Sequence, residues 1–311
     1  MTHFRAVSRR IAFVATTVVA SGLLSGYALS PRTPAALPRG EAVPAPGKHM
    51  LFRVRGSTGA TIYLLGSVHL LTPEAGILPP EVDSAFAHAK TVTFETSLDT
   101  VQMRAGEMMV RGRYPAGATL RSSLTPAGVA KADSVLKLYG LGIDQVNGFK
   151  PWMVSVVMTQ LAIQKAQFAA QYGVDIQLNA RAKQAGKPVM GLESVEFQFG
   201  LFDRIPAADQ ERMLTGAAGP DSAARILTKI KDAWFQGNAP GLDSLLNTAS
   251  NESPAFFQIM VSDRNKNWIP KIEQLLKGTD DALVVVGAAH LVGKEGVLAL
   301  LQAKGYKIDQ M

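Results

Sequence analysis

Apolar and polar positions near the start of the chain follow strand-like patterns first and a helical pattern afterwards. Leu51–Arg55 and residues 60–66 are short β-type runs, separated at residues 56–59 by a glycine-bounded sequence typical of a hairpin turn. A helical pattern over residues 81–89 then leads to a strand-like run at Thr91–Phe94. The pattern predicts a hairpin that continues into a β-α-β unit.

The middle of the chain changes to helical periodicity. Thr125 followed by Pro126 is a typical helix start, and Gly140 is placed to end that helix. Residues 151–171 form a longer and more apolar pattern that is interrupted by glutamines and a lysine, so we expect a core helix or a covering lid there and not a membrane span. A further helix is predicted over residues 174–185.

The last third of the chain returns to alternating strands and helices. Short strands are predicted at residues 188–192, 282–286 and 306–308, with helices at residues 268–276 and 293–304. Strands alternating with helices at both ends favour an α/β fold. We therefore expect a mostly parallel sheet flanked by helices, with the central helices forming a layer in the middle of the chain.

The N-terminal segment has the order of a secretory signal. A basic head precedes residues 11–29, which carry no charge and many small side chains. Residues 1–30 are therefore predicted to be a removed signal peptide or an N-terminal membrane anchor, which implies a periplasmic or secreted protein. Residues 31–49 are crowded with Pro and Ala and predict an extended tether, so the folded domain spans residues 50–311.

Composition removes several classes of function. The formal net charge is +7, but lysine and arginine are scattered and form no stripe suited to phosphates, so we expect no nucleic-acid partner. Any membrane contact is expected only through the N-terminal segment. The absence of cysteine excludes disulfides, a thiolate nucleophile and a cysteine-ligated metal. Any metal in this protein must use nitrogen and oxygen ligands.

Four of the predicted strands end close to a residue that can bind a metal: His69, Glu95, Glu193 and His290. The carboxyl ends of parallel strands meet at one edge of a sheet, where ligands collect. Two imidazoles with one or two carboxylates suit zinc, manganese or cobalt. Such an ion lowers the pKa of bound water to about 7 and polarises a carbonyl, and a carboxylate not bound to the metal is a candidate general base.

Each of these residues also has a purely structural interpretation. A single histidine near a strand end often makes only hydrogen bonds, and Glu95 or Glu193 can cap the helix that follows. The chain has five histidines, and two of them, His69 and His290, lie in the same Gly-x-x-His-Leu frame at the end of an apolar strand. Internal duplication or convergence on one site explains this recurrence better than chance.

Several short motifs resemble the TraB/GumN (TIKI-like) family in their order and spacing. They are Leu65 to His69, Phe94-Glu95, Gly173-Val174-Asp175, Gly186 to Glu193, Arg264-Asn265, and Val286 to Gly293 with Gly305-Tyr306. The resemblance implies an α/β fold like that of the erythromycin-esterase and ChaN-like proteins, with the two Gly-x-x-His motifs and a glutamate forming the site. Animal TIKI relatives are described as metal-dependent proteases of secreted signalling proteins.

The resemblance places His69, Glu95 and His290 as ligands of a divalent Mn, Co or Zn ion. It assigns Glu95, Glu193 and Arg264 to catalysis and adds Asp175 as a further candidate. Asp175 also suits the first turn of a helix, and Arg264 can serve only to pair with a carboxylate. Ala289 stands where many relatives have glycine before the second histidine.

The favoured function is an extracytoplasmic metal-dependent hydrolase acting on a peptide or small-molecule substrate, with peptidases among the candidate classes. The alternative is a protein that binds a peptide, haem or other small ligand in the same crevice without turnover, lined by the apolar helix predicted over residues 151–171. A third possibility is a metal-free hydrolase with His290 as general base and Glu95 orienting water or the imidazole.

Overall fold

The computed structural model describes residues 47–311, so the predicted signal and residues 31–46 of the predicted tether lie outside the described residues. His49, at the end of that tether, is buried and lies within the fold. Its backbone N–H donates to Met311 O at 2.5 Å, and its Nε2 lies 3.0 Å from Glu81 Oε2. Across residues 47–311, no helix is both long and apolar enough to cross a membrane.

The described part of the chain forms an α/β fold, as the sequence predicts. The strands are β1 Leu51–Arg55, β2 Thr61–Ser67, β3 Thr91–Phe94, β4 Val189–Gly191, β5 Ala282–Gly287 and β6 Ile308–Gln310. The helices are α1 Pro80–His88, α2 Leu98–Arg111, α3 Leu120–Ser123, α4 Pro126–Lys137, α5 Pro151–Lys165, α6 Val174–Gln184, α7 Val195–Gly200, α8 Ala207–Thr215, α9 Pro220–Phe235, α10 Ala239–Glu252, α11 Pro254–Phe257, α12 Asp263–Leu276, α13 Ala288–Leu291 and α14 Val297–Ala303. A π-helical segment, Gln258–Ser262, leads directly into α12.

The six strands form one sheet in the order β4-β3-β5-β2-β1-β6. β4, β3, β5 and β2 run parallel, whereas β1 pairs antiparallel with β2 and with β6. β5 is buried along its whole length, as expected of a central strand covered on both faces. In the sheet order β5 lies between β2 and β3. It brings the C-terminal part of the chain against two strands from the N-terminal part.

The hairpin and the strand at Thr91–Phe94 are confirmed. β6 lies at the far edge beside β1, with Val54 opposite Ile308, and it runs antiparallel to β1 and therefore parallel to β5. The two Gly-x-x-His frames also sit one residue out of register, because Gly66 lies opposite Val286 and not opposite Gly287. Both frames nevertheless end at the same edge of the sheet.

Two predicted helices are shorter in the structure. The helix expected over residues 151–171 ends at Lys165, because Gln167 has φ 60° and Ala169 pairs with Leu71 across an isolated antiparallel bridge. The apolar pattern continues past the helix end since Phe168 is still buried in the same core. The helix expected over residues 293–304 begins at Val297, after Gly293 with φ +87°.

Two apolar cores support the site. One lies around the sheet and includes β1, β2, β3 and β5 together with Trp268 of α12 and Trp234 of α9. The other lies among the central helices around Trp152 and Phe202, whose rings stack at 4.8 Å. Trp234 Nε1 donates to Gly66 O at 2.5 Å and so ties the helical layer to β2. The carboxyl edge of the parallel strands therefore lies beside this helical layer.

Candidate functional site

The structure brings the four sequence-predicted strand-end residues to one edge of the sheet. His69 follows β2, Glu95 follows β3, Glu193 follows β4, and His290 lies in α13 directly after β5. The residues come together because β2, β5, β3 and β4 are neighbours with the same direction. The two residues that the resemblance adds, Asp175 and Arg264, reach the same place from the first turn of α6 and of α12.

Glu95 is the central carboxylate of the site. Its Oε1 accepts the Gly287 backbone N–H at 2.7 Å and lies 4.0 Å from His69 Nε2 and 3.8 Å from His290 Nε2. Its Oε2 accepts from Arg264 Nη2 at 2.6 Å and from Gln198 Nε2 at 3.3 Å. Burial raises the pKa of Glu95, but Arg264, the two histidines and the Gly287 N–H outweigh burial and hold that pKa far below its usual range.

Arg264 is the buried cation of the site, and its side chain has no exposed surface. Besides Glu95, it donates to Glu193 Oε1 from Nε at 2.9 Å and Nη2 at 2.6 Å, and to Met260 O from Nη1 at 2.9 Å. Its guanidinium also lies 4.8 Å from the centre of the Trp268 ring. Burial lowers the pKa of Arg264, but the two carboxylates raise it further, so the group stays charged.

Glu193 supports Arg264 and does not face open space. Oε1 takes both Arg264 contacts, and Oε2 accepts the Trp268 indole N–H at 2.9 Å. Burial raises the pKa of Glu193 and outweighs the lowering by Arg264. The two carboxylates on one guanidinium therefore shift in opposite directions, because Glu95 has additional partners in Gly287 and the histidines. Glu95 is thus the carboxylate that the site keeps ionised most firmly.

His69 is oriented by Asp175. Its Nδ1 lies 3.0 Å from Asp175 Oδ2, so Nδ1 carries the proton and donates, while Nε2 faces the site without a hydrogen-bond partner. Burial lowers the pKa of His69, but Asp175 and Glu95 outweigh it and raise the pKa to about 9. Gly173 permits this close arrangement, because a Cβ there would lie 2.3 Å from His69 O.

His290 is held in the opposite charge state. Nδ1 lies 2.7 Å from Asn265 Oδ1, whose amide nitrogen donates to Glu295 O at 2.8 Å, so the Asn265 oxygen must accept from Nδ1–H. Nε2 then accepts from Arg264 Nη1 at 3.1 Å. Burial lowers the pKa of His290 to about 3, so the imidazole is neutral. Its ring also packs against Trp268, with the centres 4.5 Å apart.

The space between Glu95 and His69 suits a small cation. A Cβ built on Gly287 would lie 3.2 Å from both Glu95 Oε1 and His69 Nε2, so glycine leaves this space open. Donor atoms around a tetrahedral zinc ion lie about 3.4 Å apart, so separations of 4.0 and 3.8 Å need only a small adjustment. Over residues 47–311, no three His, Asp or Glu side chains are already spaced to hold a metal. His290 can become the third ligand if Arg264 Nη1 releases its Nε2.

Two small cavities adjoin His69 on different sides. The first, of about 30 Å³, is lined by His69, Glu95, Asp175, Gln198 and neighbouring residues of β2, β3 and α2. The second, of about 40 Å³, is lined mainly by apolar side chains of α9, α10 and α13. Both cavities include Ser67 and His69 in their walls. The predicted site therefore borders a more polar space and an apolar one.

Sequence reasoning gave no role to three residues that complete the site: Gln198, Asn265 and Trp268. Asn265 and Trp268 lie on the same helix as Arg264 and contact His290 and Glu193. Gln198 contacts Glu95 from α7. A usable signal was present, since Arg264 and Asn265 are polar residues on a helix that buries them completely. Polar residues at buried helical positions indicate a partner that must be found elsewhere in the chain.

Comparison with known proteins agrees with the resemblance in the motifs. A family model described as the TraB/PrgY/gumN family matches residues 50–310. The uncharacterized protein YbaP of Escherichia coli strain K12 is 23% identical over 240 residues, which cover 77% of this chain and 87% of YbaP. The uncharacterized protein YbaP of Shigella flexneri matches with the same values. No solved structure matches the chain.

Proposed function

This chain belongs to the TraB/PrgY/gumN family, and from that premise and the geometry of the site we propose that it is a metal-dependent hydrolase. His69, Glu95 and His290 would hold the ion, which would be Mn, Co or Zn. The observation that carries the proposal is the position of Glu95 Oε1, 4.0 Å from His69 Nε2 and 3.8 Å from His290 Nε2. The substrate would be a peptide or small molecule, and the signal-like residues 1–30 support export to the periplasm or beyond.

A bound divalent ion would lower the pKa of water to about 7 and polarise the substrate carbonyl. Neighbouring side chains orient the atoms that would bind this ion. Asp175 fixes the His69 ring through Nδ1, so that Nε2 faces the site and could bind an ion once its proton is displaced, and Asn265 fixes the His290 ring through Nδ1 with the Nε2 lone pair already available. Arg264 keeps Glu95 ionised through Oε2 and leaves Oε1 directed at the two imidazoles.

Arg264 has a second part in the proposal. If His290 Nε2 held the ion, Arg264 Nη1 would lose that acceptor, while Nη2 and Nε would remain fixed by Glu95 and Glu193. Nη1 would keep Met260 O and would have a free N–H to stabilise negative charge on a reacting oxygen. Glu193 would act as a positioning residue for Arg264, since both of its oxygens are already hydrogen-bonded.

The metal-free hydrolase receives less support from the same contacts. His290 would be its general base, yet the pKa of His290 falls to about 3 and its Nε2 accepts a hydrogen bond from Arg264. A ligand-binding protein without turnover is the second candidate, favoured by the apolar cavity that Leu242, Leu245 and Leu246 line beside His69. Ligand binding that survives loss of both histidines, with no hydrolysis, would select it.

The decisive experiment measures metal content and hydrolysis in the same preparations. Purified protein, His69→Ala and His290→Ala would be loaded with Mn, Co or Zn, analysed for bound metal, and assayed on a fluorogenic peptide library with and without chelator. Wild type should bind about one ion per chain, and each variant should lose the ion and the activity. His88→Ala is the control, because His88 is exposed on α1, where its Nδ1 lies 2.8 Å from Ser84 O, outside the proposed site.

Two results would count against the metal-dependent hydrolase. Full metal content in both histidine variants would show that the ion binds elsewhere. Hydrolysis that persists undiminished with chelator, and in both variants, would show that the chemistry does not use this centre. Export has its own test, which is N-terminal sequencing of the mature protein from the periplasm or medium. A chain found only in the cytoplasm with residues 1–30 intact would refute it.

A further inference from the structure

Five buried polar atoms without a partner surround a single cavity. They are Ser67 Oγ, His69 Nε2, Thr96 Oγ1, Asp175 Oδ1 and Gln198 Oε1, and all five residues line the cavity of about 30 Å³. A buried polar atom left unpaired costs about 1–3 kcal/mol. Since most such atoms in proteins are satisfied, this concentration at one place indicates that a bound molecule supplies the missing hydrogen bonds.

The chemistry of two of these atoms is fixed by their neighbours. Gln198 Nε2 donates to Glu95 Oε2, which can only accept while ionised, so the unpaired atom of the Gln198 amide is its carbonyl oxygen. Asp175 Oδ2 accepts from His69 Nδ1, which leaves Oδ1 of the same carboxylate as a free acceptor. Both Asp175 and Gln198 are more than nine-tenths buried. The cavity therefore offers at least two acceptors to its ligand.

The two hydroxyls can complete either kind of hydrogen bond. Ser67 Oγ and Thr96 Oγ1 can donate or accept, and both residues are 3% exposed. A ligand group that only accepts, such as a carboxylate, could pair with His69 Nε2 but would leave Asp175 Oδ1 and Gln198 Oε1 unpaired. A group with two or more N–H donors satisfies both. The cavity has room for a small head group of that kind.

The apolar cavity lies next to this polar cavity, and the two have part of their walls in common. It shares Ser67 and His69 with the polar cavity, and Leu242, Leu245, Leu246 and Ile230 line its other side. A volume of about 40 Å³ suits a short branched aliphatic group and excludes a large aromatic ring. Few hydrogen-bonding groups reach this cavity, so a polar group placed there would lose its hydration without replacement.

We propose that the two cavities form a substrate-binding cleft that takes an N–H-bearing head group, an ammonium or primary amide, on the Asp175 and Gln198 side of His69 and a short aliphatic group on the Leu245 side. This inference rests on the proposed function only in placing the reacting bond beside His69. Gln198, Thr96 and Leu245 are then specificity-determining residues. The substrate class is an amphipathic nitrogen compound with an aliphatic branch.

Direct binding measurements test the cleft without using catalysis. Calorimetric titration of the purified protein, with chelator present and again without it, would use isopentylamine, isocaproamide and isocaproate, which share an aliphatic tail and differ in the head. The amine and the amide should bind, and the carboxylate should bind at least about tenfold more weakly, which corresponds to about 1.4 kcal/mol. Whichever of the first two binds more tightly identifies the head group as ammonium or amide.

Variants assign the two ends of the ligand. Gln198→Met removes the free acceptor, and with it the donor to Glu95 Oε2, at similar volume, and should weaken binding of the amine or amide by about threefold to tenfold, as expected for one lost hydrogen bond to the ligand. Thr96→Val removes a second hydrogen-bonding group, the Thr96 hydroxyl, from the same cavity. Leu245→Phe fills the apolar side and should weaken the tailed probes without weakening methylamine. Gln164→Met and Leu138→Phe are matched controls at exposed positions.

Three outcomes would overturn the cleft: no detectable binding of the amine or the amide, carboxylate binding as tight as either, or unchanged affinities in Gln198→Met and Leu245→Phe that fold with wild-type circular dichroism. These failures are separable from failure of the metal centre. Loss of the proposed metal site leaves the chelated binding constants unchanged, and loss of the cleft leaves the bound metal unchanged.

Discussion

Removing the Arg264 charge is the sharpest test of the electrostatic arrangement. Arg264→Met keeps an unbranched side chain of comparable length but leaves Glu95 and Glu193 without their shared cation. Their side chains are 10% and 6% exposed, so water cannot replace the guanidinium fully. Breaking a buried ion pair by removing one partner costs about 3–5 kcal/mol, because the remaining charge is left uncompensated.

Two features of the structure place Arg264→Met toward the upper end of that range. One guanidinium serves two carboxylates, and its loss also removes the hydrogen bonds that it donates to Met260 O and His290 Nε2. Part of the cost is avoidable, since a carboxyl group can take up a proton and become neutral. Adding Glu193→Gln to Arg264→Met should therefore recover part of the loss, which identifies the carboxylate charge as its source.

Urea denaturation followed by circular dichroism measures this loss as a shift in midpoint at constant slope. Arg121→Met is the matched control, because Arg121 pairs with Asp144 at 3.0 Å on the surface and exposed pairs contribute about 0–1 kcal/mol. A loss below about 1 kcal/mol in Arg264→Met would refute the reasoning, since it would mean that Glu95 and Glu193 do not depend on the guanidinium for their charge. A destabilised double variant with no recovery would refute the assignment of the cost to Glu193.

Three further predictions follow from the same contacts. Gly287→Ala places a methyl group 3.2 Å from Glu95 Oε1 and His69 Nε2, so metal analysis should show at least about a tenfold loss of affinity, whereas Gly200→Ala, with no neighbour within 4 Å, should bind metal normally. Because the ion must displace a proton from His69, whose pKa is about 9, metal affinity measured by competition titration should rise about tenfold per pH unit between pH 6 and 8. Asp175→Asn should flatten that slope, and an unchanged slope would contradict the role of Asp175. Since folding lowers the pKa of Glu95 from 4.5, its contribution to stability is present above pH 4.5 and is lost as pH falls, so urea midpoints should fall less below pH 4.5 in Glu95→Gln than in wild type.

The sequence was sufficient for the parts of the site that depend on strand ends. Apolar runs locate β2, β3 and β5, and a functional residue follows each strand within three positions: His69, Glu95 and His290. Parallel strands share an edge by construction, so His69, Glu95 and His290 could be placed together before any coordinates were known. The distances from Glu95 Oε1 to the Nε2 atoms of the two histidines depend on which strands are neighbours in the sheet, and the sequence does not specify that order.

The sheet order could not be predicted, because it depends on a long-range insertion. β2 and β3 are consecutive in the chain, and an apolar strand carries no mark that says which partner lies beside it. β5 enters between them in the structure, with Leu65 opposite Val285 and Phe94 also opposite Val285. That placement is what brings Gly287 N–H and His290 to Glu95. The pairing of the edge strand β6 with β1 is likewise set by tertiary contacts.

The central glutamate resolves an apparent conflict between a buried arginine and a proposed metal ion. Glu95 divides its two oxygens, with Oε2 directed to Arg264 and Gln198 and Oε1 directed to Gly287, His69 and His290. The two cations therefore do not compete for the same oxygen. The single contested atom is His290 Nε2, which Arg264 holds at 3.1 Å. Because the pKa of His290 is held near 3, that nitrogen stays unprotonated and can pass from the guanidinium to an ion without first losing a proton.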